Sequence, residues 1–333
     1  MRVSGFTFIR NAILLDYPIV ASIQSILPLC DEVVVAVGNS DDDTLALIQN
    51  IDPKVKIIQT TWDDTLRQNG RVLAVETDKA LAAIDPDADW AIYIQGDEVL
   101  HQDDHPALLQ AMQTYAQDKD VDGLLFDYLH FYGSYDFIGV SNNWYKKEIR
   151  IIKPGRGIYS FRDAQGFRKA PDQKLKVAPS GARVFHYGWV KDPAAMQRKQ
   201  ESFHRLWHDD AWLEKNIKVA EHFDYEDHIH ELGRFEGTHP QWIAARIAAR
   251  NWVFQTDISR SKRTVKNRIK NLLKRIGIDT NYANYTLIRW IRQYLLRQSE
   301  FTILDDMASF AKKFFIVSFD MKNLFGLGVK VSR

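Results

Sequence analysis

Residues 89–100 read DWAIYIQGDEVL, and this stretch decides the fold class of the chain. Its first part, WAIYI at 90–94, is short, apolar and rich in β-branched and aromatic residues. Such a run predicts a strand buried on both faces, as in a parallel sheet. Open α/β sheets place their chemistry at the carboxyl ends of strands, so the acids of Gln95-Gly96-Asp97-Glu98 indicate a metal or phosphate site. The alternative is a surface turn with solvated acids.

Upstream of this stretch, apolar runs alternate with segments of helical spacing. The predicted strands are residues 3–9, 33–37 and 55–59, and the predicted helices are 19–29, 45–51 and 72–84. This alternation predicts a mostly parallel sheet with helices on both faces. No G-x-G-x-x-G follows the first strand and no Walker motif is present, which argues against the usual dinucleotide and P-loop folds.

Downstream the pattern is looser. A helix is predicted at 106–115, strands at 123–126, 148–152 and 183–190, and helical character from residue 193. The aromatic stretch 128–135 suits either sugar stacking or a core, and core is the preferred interpretation. Residues 160–168, polar and containing a glycine, are predicted to form a loop.

The composition is that of an ordinary globular protein of 333 residues, long enough for one large domain or two modest ones. The single cysteine, Cys30, excludes an internal disulfide and any cysteine-based zinc site. No apolar run approaches the ~20 residues of a membrane span, and the N-terminus lacks the apolar region of a signal peptide. A cytoplasmic location is therefore expected.

The net charge of +1 conceals an asymmetry. Residues 1–239 carry 26 basic and 37 acidic side chains, whereas the remainder carries 18 and 6. Residues 259–275, SRSKRTVKNRIKNLLKR, carry 8 basic and no acidic side chains, with apolar residues at helical spacing. This pattern indicates a basic amphipathic helix on an anionic membrane surface. The alternatives are a helix docked on the acidic body or, less favoured, nucleic-acid binding.

Several motifs in order resemble those of a family 2 glycosyltransferase of the GT-A fold, in a bacterial subgroup. They are SGFTFIRN at 4–11, the turn at 38–44, the helix start Gly70-Arg71, and Gln95-Gly96-Asp97-Glu98. SFRDAQGFRKA at 160–170 and FHYGWV at 185–190 also look like segments of this subgroup. The resemblance covers residues 1–190 and implies a catalytic domain over 1–235, followed by a helical basic region over 236–333.

The resemblance also implies a set of site residues. The nucleotide-sugar lies across the carboxyl ends of the first strands, and its predicted contacts are Phe8, Arg10, Asn11, Gly38, Ser40, Asp42, Arg71, Gln95 and Gly96. Asp97 matches the last aspartate of the D-x-D motif and is the predicted ligand of a divalent cation, Mn²⁺ or Mg²⁺. Gln95 stands where that motif has its first aspartate, and Glu98 is a second predicted ligand that compensates for it.

The chain departs from the family pattern at one further place, and further residues have candidate roles. Family members show an aspartate pair where this chain has Val37 and Gly38, which leaves the nucleotide open. His186 is a candidate metal ligand, or else a satisfied core histidine. Asp163 is the candidate general base, or else a turn or cap residue. Arg10 and Arg71 contact phosphates or pair with local acids.

The predicted activity is a metal-dependent, inverting sugar transfer from a nucleotide-sugar to a polysaccharide or lipid-linked acceptor of the cell envelope. The basic tail is expected to hold the protein peripherally at the inner membrane. Two alternatives stay open: a nucleotidyltransferase of similar sheet architecture, and a non-catalytic protein that binds a nucleotide-sugar.

Overall fold

A computed structural model describes residues 1–66, 68–141, 143–208, 212–213, 215, 220–226 and 231–258. These residues all belong to one compact unit. The predicted basic helix at 259–275 lies outside them, so its place on a membrane stays a prediction. Within the described part of the chain, no helix is both long enough and apolar enough to cross a bilayer.

The centre of the fold is a set of four parallel strands in the spatial order β3-β2-β1-β4. They are β1 (Val3–Ile9), β2 (Glu32–Gly38), β3 (Val55–Thr60) and β4 (Trp90–Tyr93). In register, Phe6 of β1 lies between Val34 and Tyr93. All four carboxyl ends therefore meet at one edge of the sheet, as the alternation of the sequence predicts.

Side chains of these strands alternate between two apolar layers, because successive residues of a strand point to opposite faces. One layer contains Val33 and Ile92 and is covered by α1 (Ile19–Ile26), α2 (Thr44–Gln49) and α4 (His105–Tyr115). The other contains Val34 and Tyr93 and is covered by α3 (Arg71–Ala82). Each fully buried aliphatic side chain stabilises the fold by about 1.5–3 kcal/mol. The predicted α/β architecture, with helices on both faces of a mostly parallel central sheet, is confirmed.

The sheet continues beyond β4 with strands of mixed direction. Strand β8 (Lys147–Ile152) runs antiparallel to β4 and to β6 (Gly123–Tyr132), and β12 (Val177–Trp189) runs parallel to β6. Strand β5 (Glu98–Leu100) then pairs antiparallel with β12, with Glu98 opposite His186. The late strand thus brings His186 beside the end of the opening stretch.

The prediction of a loop at 160–168 is wrong in part, because β9 (Ile158–Phe161) and β10 (Gly166–Lys169) form an antiparallel hairpin. A two-residue strand, β11 (Gln173–Lys174), extends it. The hairpin forms because Phe167 is fully buried against Phe6 and Tyr93 of the central sheet. Only the turn at residues 162–165 between β9 and β10 is irregular.

Strand β7 (Phe137–Gly139) pairs with β6, and β13 (Leu232–Arg234) pairs with β7 at one edge of the sheet. The later helices are α5 (Pro193–His204) and α6 (Ala244–Ala248). In the aromatic stretch, Phe131, Tyr132 and Tyr135 are all 2% exposed or less. The interpretation of this stretch as core is therefore confirmed.

Candidate functional site

A cavity of about 650 Å³ opens at the carboxyl ends of β1 and β4. This volume is in the range of small-molecule sites. Eight of the predicted site residues line it: Phe8, Arg10, Asn11, Gln95, Gly96, Asp97, Asp163 and His186. They come from four separate parts of the chain, which the fold brings together around one space.

The other predicted contacts do not line this cavity. Gly38 is covered by the indole of Trp62, and a Cβ placed on Gly38 would lie 2.4 Å from Trp62 Nε1. Trp62 thus occupies the space where an aspartate of the family pattern would project. Arg71 is exposed at the start of α3 and does not line the cavity.

Ser40 and Asp42 hold backbone in place. The backbone N–H of Asn11 donates to Ser40 Oγ at 3.0 Å, and the backbone N–H of Leu14 donates to Asp42 Oδ2 at 2.7 Å. These bonds tie the turn after β2 to the segment after β1, and that segment carries Arg10 and Asn11 into the cavity. Asp41, which the sequence analysis did not single out, lines the cavity beside Asn11.

Asp97 is the central charged group of the cavity and is only 7% exposed. Lys199 Nζ of α5 donates to Asp97 Oδ2 at 3.1 Å, and His186 Nε2 lies 3.7 Å from Oδ1. Burial by itself raises the pKa of a carboxyl, but the charges of Lys199 and Lys191 and the hydrogen bond from Lys199 more than offset it and lower the pKa of Asp97. Asp97 is therefore a stable carboxylate at neutral pH.

The tautomer of His186 follows from its neighbour His130. His130 Nε2 lies 2.8 Å from the carbonyl of Tyr145, which only accepts, so this nitrogen carries the proton. Burial and the neighbouring His186 lower the pKa of His130, so its Nδ1 is a bare acceptor for His186 Nδ1–H at 3.1 Å. Burial also lowers the pKa of His186, which leaves its Nε2 unprotonated and facing Asp97.

A carboxylate oxygen of Asp97 and an imidazole nitrogen of His186 lie 3.7 Å apart, and both are donor types that bind divalent cations. The hydrogen bond that His186 Nδ1–H donates to His130 Nδ1 is the kind of outer contact that orients a ligating histidine. Among the described residues no group of three histidine or acidic side chains converges. The donor chemistry therefore fits a cation held by Asp97 and His186, with its other positions left to water or a substrate.

Glu98 has a different environment. It is fully buried, and Arg150 donates to both of its carboxylate oxygens, each at 2.8 Å. Tyr128 Oη donates to Oε1 at 2.8 Å, and the backbone N–H of Gln95 donates to Oε2 at 3.1 Å. Since both oxygens are engaged, these contacts favour a structural role for Glu98 over the binding of a metal.

Gln95 connects the opening stretch to the loop of the candidate base. Its Nε2 donates to the carbonyl of Ala164 at 3.1 Å. An aspartate at this position has no N–H to donate, so the amide gives the departure from the family motif a physical reason. Asp163, adjacent to Ala164, lines the cavity, and burial raises the pKa of its carboxyl.

Several lining residues were not predicted because no local motif marks them. They are mostly aromatic, with one lysine: Tyr17, Trp62, Tyr145, Trp189, Lys199, Phe203 and Trp207. Arg10 pairs with Asp64 at 2.8 Å and lies 5.5 Å from the Trp62 ring, so the predicted pairing of Arg10 with a local acid is present. The aromatic wall gives the cavity flat apolar surfaces suited to a base or a sugar ring.

A second cavity, of about 900 Å³, lies at the amino ends of the strands and is larger. Its charged side chains pair among themselves, as in Arg2 with Asp85 at 3.0 Å and Lys56 with Glu32. In open α/β sheets ligands bind at the carboxyl ends of the strands. The cavity at Asp97 is therefore the candidate site despite its smaller volume.

Comparisons with known proteins give only distant likenesses. No protein-family model matches the chain, and no curated protein sequence does. Among solved structures, S. aureus TarS is 15% identical over 66% of this chain and 41% of its own, with a TM-score of 0.37. TarS 1–349 in complex with UDP is 15% identical over 66% and 68% of the two chains, with a TM-score of 0.36.

A third solved structure is glucosyl-3-phosphoglycerate synthase from Mycobacterium tuberculosis, in complex with Mn²⁺, UDP and glucosyl-3-phosphoglycerate. It is 19% identical over 40% of this chain and 45% of its own, with a TM-score of 0.28. The chain thus spans less than half the length of this synthase and of the longer TarS structure. Likenesses this low identify neither a substrate nor a mechanism.

Proposed function

We propose that this protein is a glycosyltransferase that moves a sugar from a nucleotide-diphosphate sugar to an acceptor hydroxyl with inversion. The observation that carries the proposal is the grouping in one cavity of Asp97, His186 and Asp163. Asp97 matches the last aspartate of the D-x-D motif, and the other two lie far from it in sequence: Asp163 is 66 residues further along and His186 further still. The carboxyl ends of parallel strands are the expected place for such a site.

Asp163 is the proposed general base. Inverting transfer needs a carboxylate that takes the proton of the acceptor hydroxyl as the hydroxyl attacks the sugar. Burial raises the pKa of Asp163, which makes its carboxylate a stronger base than an exposed one. Turnover is therefore expected to fall as pH is lowered through a pKa above that of an ordinary aspartate.

Asp97 and His186 are the proposed protein ligands of the divalent cation. When bound, Mn²⁺ or Mg²⁺ neutralises charge on a diphosphate leaving group. His130 orients the His186 ring, and Lys199 holds the second oxygen of Asp97, so that the carboxylate keeps one orientation. The aromatic wall, including Trp62 and Trp207, excludes water from the nucleotide.

The acceptor is proposed from the sequence alone, as a polysaccharide or lipid-linked glycan of the cell envelope. A peripheral place at the inner membrane, through the basic region at residues 236–333, is likewise proposed from the charge pattern. Phe8, Asn11, Gln95 and Gly96, with Arg10, are the proposed donor contacts that line the cavity. Gly38, Ser40, Asp42 and Arg71 do not line the cavity, and we assign them only a supporting place at its rim.

The test uses the purified full chain with Mn²⁺ and a panel of UDP-, GDP-, ADP- and dTDP-sugars. One donor is expected to bind by calorimetry and to release its nucleoside diphosphate. Asp163→Asn is expected to keep donor affinity within about threefold and to lower turnover by about 10²–10⁴-fold. The matched control is Asp87→Asn, an exposed aspartate at the amino ends of the strands.

Other results distinguish the alternatives. Binding of a nucleotide-sugar without release of product by the wild type supports a non-catalytic binding protein. Release of pyrophosphate from a nucleoside triphosphate and a sugar phosphate supports a nucleotidyltransferase. If no member of the panel binds or is hydrolysed, the glycosyltransferase proposal fails.

A further inference from the structure

Lys199 is a buried ammonium group that no motif of the chain predicts. It lies on α5, which is capped by Asp192 through bonds from the Ala194 and Ala195 amides at 2.9 and 3.4 Å. The side chain lines the cavity, and the residue is 8% exposed. A lysine so deeply buried needs compensating partners, because removing an ammonium from water is costly.

The partners in the structure satisfy only part of this group. Lys199 Nζ donates to Asp97 Oδ2 at 3.1 Å and to the Gly188 carbonyl at 2.9 Å. An ammonium has three N–H donors, and the described residues supply no third acceptor. The ring of Tyr17 lies 5.1 Å from Nζ and offers a cation–π contact but no charge. The group therefore retains capacity for an anionic acceptor in the cavity.

A second buried lysine, Lys191, also contacts the Tyr17 ring. Its Nζ lies 4.5 Å from the ring centre and bonds to the carbonyl of Asp16. The Asp16 carboxylate itself pairs with Arg246. Asp97 is thus the carboxylate that bonds to Lys199 among the described contacts, and an anion in the cavity would be a second negatively charged partner.

Resting on the function proposed above, we infer that Lys199 binds the diphosphate of the donor directly and selects nucleoside diphosphates over nucleoside monophosphates. Lys199 Nζ contacts one oxygen of the Asp97 carboxylate, and His186 Nε2 faces the other. A diphosphate that binds beside Asp97 and His186 meets the fixed positive charge of Lys199, which requires no metal. The contribution of Lys199 therefore persists when divalent cations are removed.

The experiment compares wild type with Lys199→Met, which keeps an unbranched side chain one atom shorter and removes its charge, and with Lys199→Arg. The probes are inorganic pyrophosphate and the pair UDP and UMP, titrated by calorimetry in EDTA and again in Mn²⁺. A charge-assisted hydrogen bond corresponds to a loss of about 10–100-fold for pyrophosphate and UDP. UMP affinity should change by less than about threefold, and Lys199→Arg should restore part of the difference.

A structural role for Lys199 predicts a different outcome. If Lys199 only holds Asp97, UDP and UMP weaken equally, and the inference is overturned. It is also overturned if Lys199→Met keeps wild-type affinity for pyrophosphate. Lys176→Met is the matched control, since Lys176 is an exposed lysine paired with Asp120.

A second comparison distinguishes a loss of binding from a loss of folding. In Asp97→Asn the acid is already neutral, so adding Lys199→Met leaves no unpaired buried carboxylate. The drop in pyrophosphate affinity between Asp97→Asn and the double variant should then match the drop in the wild-type background. Binding of pyrophosphate and UDP without turnover of any donor refutes the proposed catalysis and leaves the role of Lys199 standing. Normal turnover of a donor, together with unchanged pyrophosphate affinity in Lys199→Met, refutes the role of Lys199 and leaves the proposed catalysis standing.

Discussion

Two clusters of charged side chains meet at the end of β4, one around Asp97 and one around Glu98. The Asp97 cluster opens into the cavity and leaves one oxygen facing the bare nitrogen of His186. The Glu98 cluster is closed, with both oxygens bonded to Arg150 in a fully buried pair. The difference shows that an acid at a strand end acquires a chemical role only when an oxygen remains unengaged.

The largest expected effect is on the closed cluster. Glu98→Ala leaves Arg150 buried without its partner, and should lower the free energy of unfolding by about 3–5 kcal/mol. Urea denaturation measures it. Asp97→Asn should cost less than Glu98→Ala, because the asparagine amide oxygen still accepts the hydrogen bond from Lys199.

The double variant Glu98→Met/Arg150→Met is the control for this prediction. Replacing both members of a buried ion pair with apolar groups of similar size is often close to neutral. The double variant should therefore recover most of the stability that Glu98→Ala loses. A greater loss in Asp97→Asn than in Glu98→Ala would reverse the assignment of the two acids.

The next effect concerns the open cluster. His130→Phe keeps an aromatic ring but removes the acceptor for His186 Nδ1–H, so His186 is no longer held with Nε2 towards Asp97. Loss of such an outer contact typically weakens metal binding by about 10–100-fold. Titration with Mn²⁺, followed by electron paramagnetic resonance, measures the affinity without turnover.

His105→Phe is the matched control, because His105 stacks on Trp242 and does not line the cavity. It should bind Mn²⁺ like the wild type. Equal Mn²⁺ affinity in His130→Phe and wild type would contradict the positioning role of His130. Absence of Mn²⁺ binding by the wild type would contradict the cation site itself.

The smallest effect is a pH dependence beside the closed cluster. Burial raises the pKa of Glu148 to about 7, with the nearby Glu98 adding to it. The unfolded chain releases this proton at lower pH than the folded one, so the contribution of Glu148 to stability is lost as pH rises towards 7. Glu148→Gln cannot titrate and should gain about 1–3 kcal/mol relative to wild type between pH 4.5 and 8.

Urea denaturation of both proteins at pH 4.5 and pH 8 measures this gain. Gln165 donates to Glu148 Oε1 at 2.8 Å, and a glutamine carbonyl can accept the same bond, so the contact is preserved. A difference between the two proteins that stays constant across pH would show that Glu148 titrates normally.

Much of the site was predictable because the strands that carry it have a recognisable apolar pattern in the sequence. The apolar run before Gln95 and the run before Arg10 indicate buried strands, and both place polar residues at the same edge. Asp97 and His186 were named from the family resemblance and Asp163 from its place in a polar segment after the strands, and all three line the cavity.

Other residues carry no such signal. Lys199 bonds to Asp97 across 102 residues, and an ordinary helical sequence surrounds it. Trp62 covers Gly38 from beyond β3, so the turn after β2 looks like a ligand contact in the sequence although the indole occupies its space. The hairpin around Asp163 likewise depends on Phe167 packing against the central sheet.

The sequence by itself determined the local periodicities of this protein. Continuous apolar runs and helical stripes dictate which segments are buried, and their burial produces the parallel sheet and its two covering layers. Only the tertiary structure decided the roles of the two acids in QGDE. Whether a carboxylate remains free depends on partners from β8, β12 and α5, and contacts so distant along the chain leave no trace in local spacing.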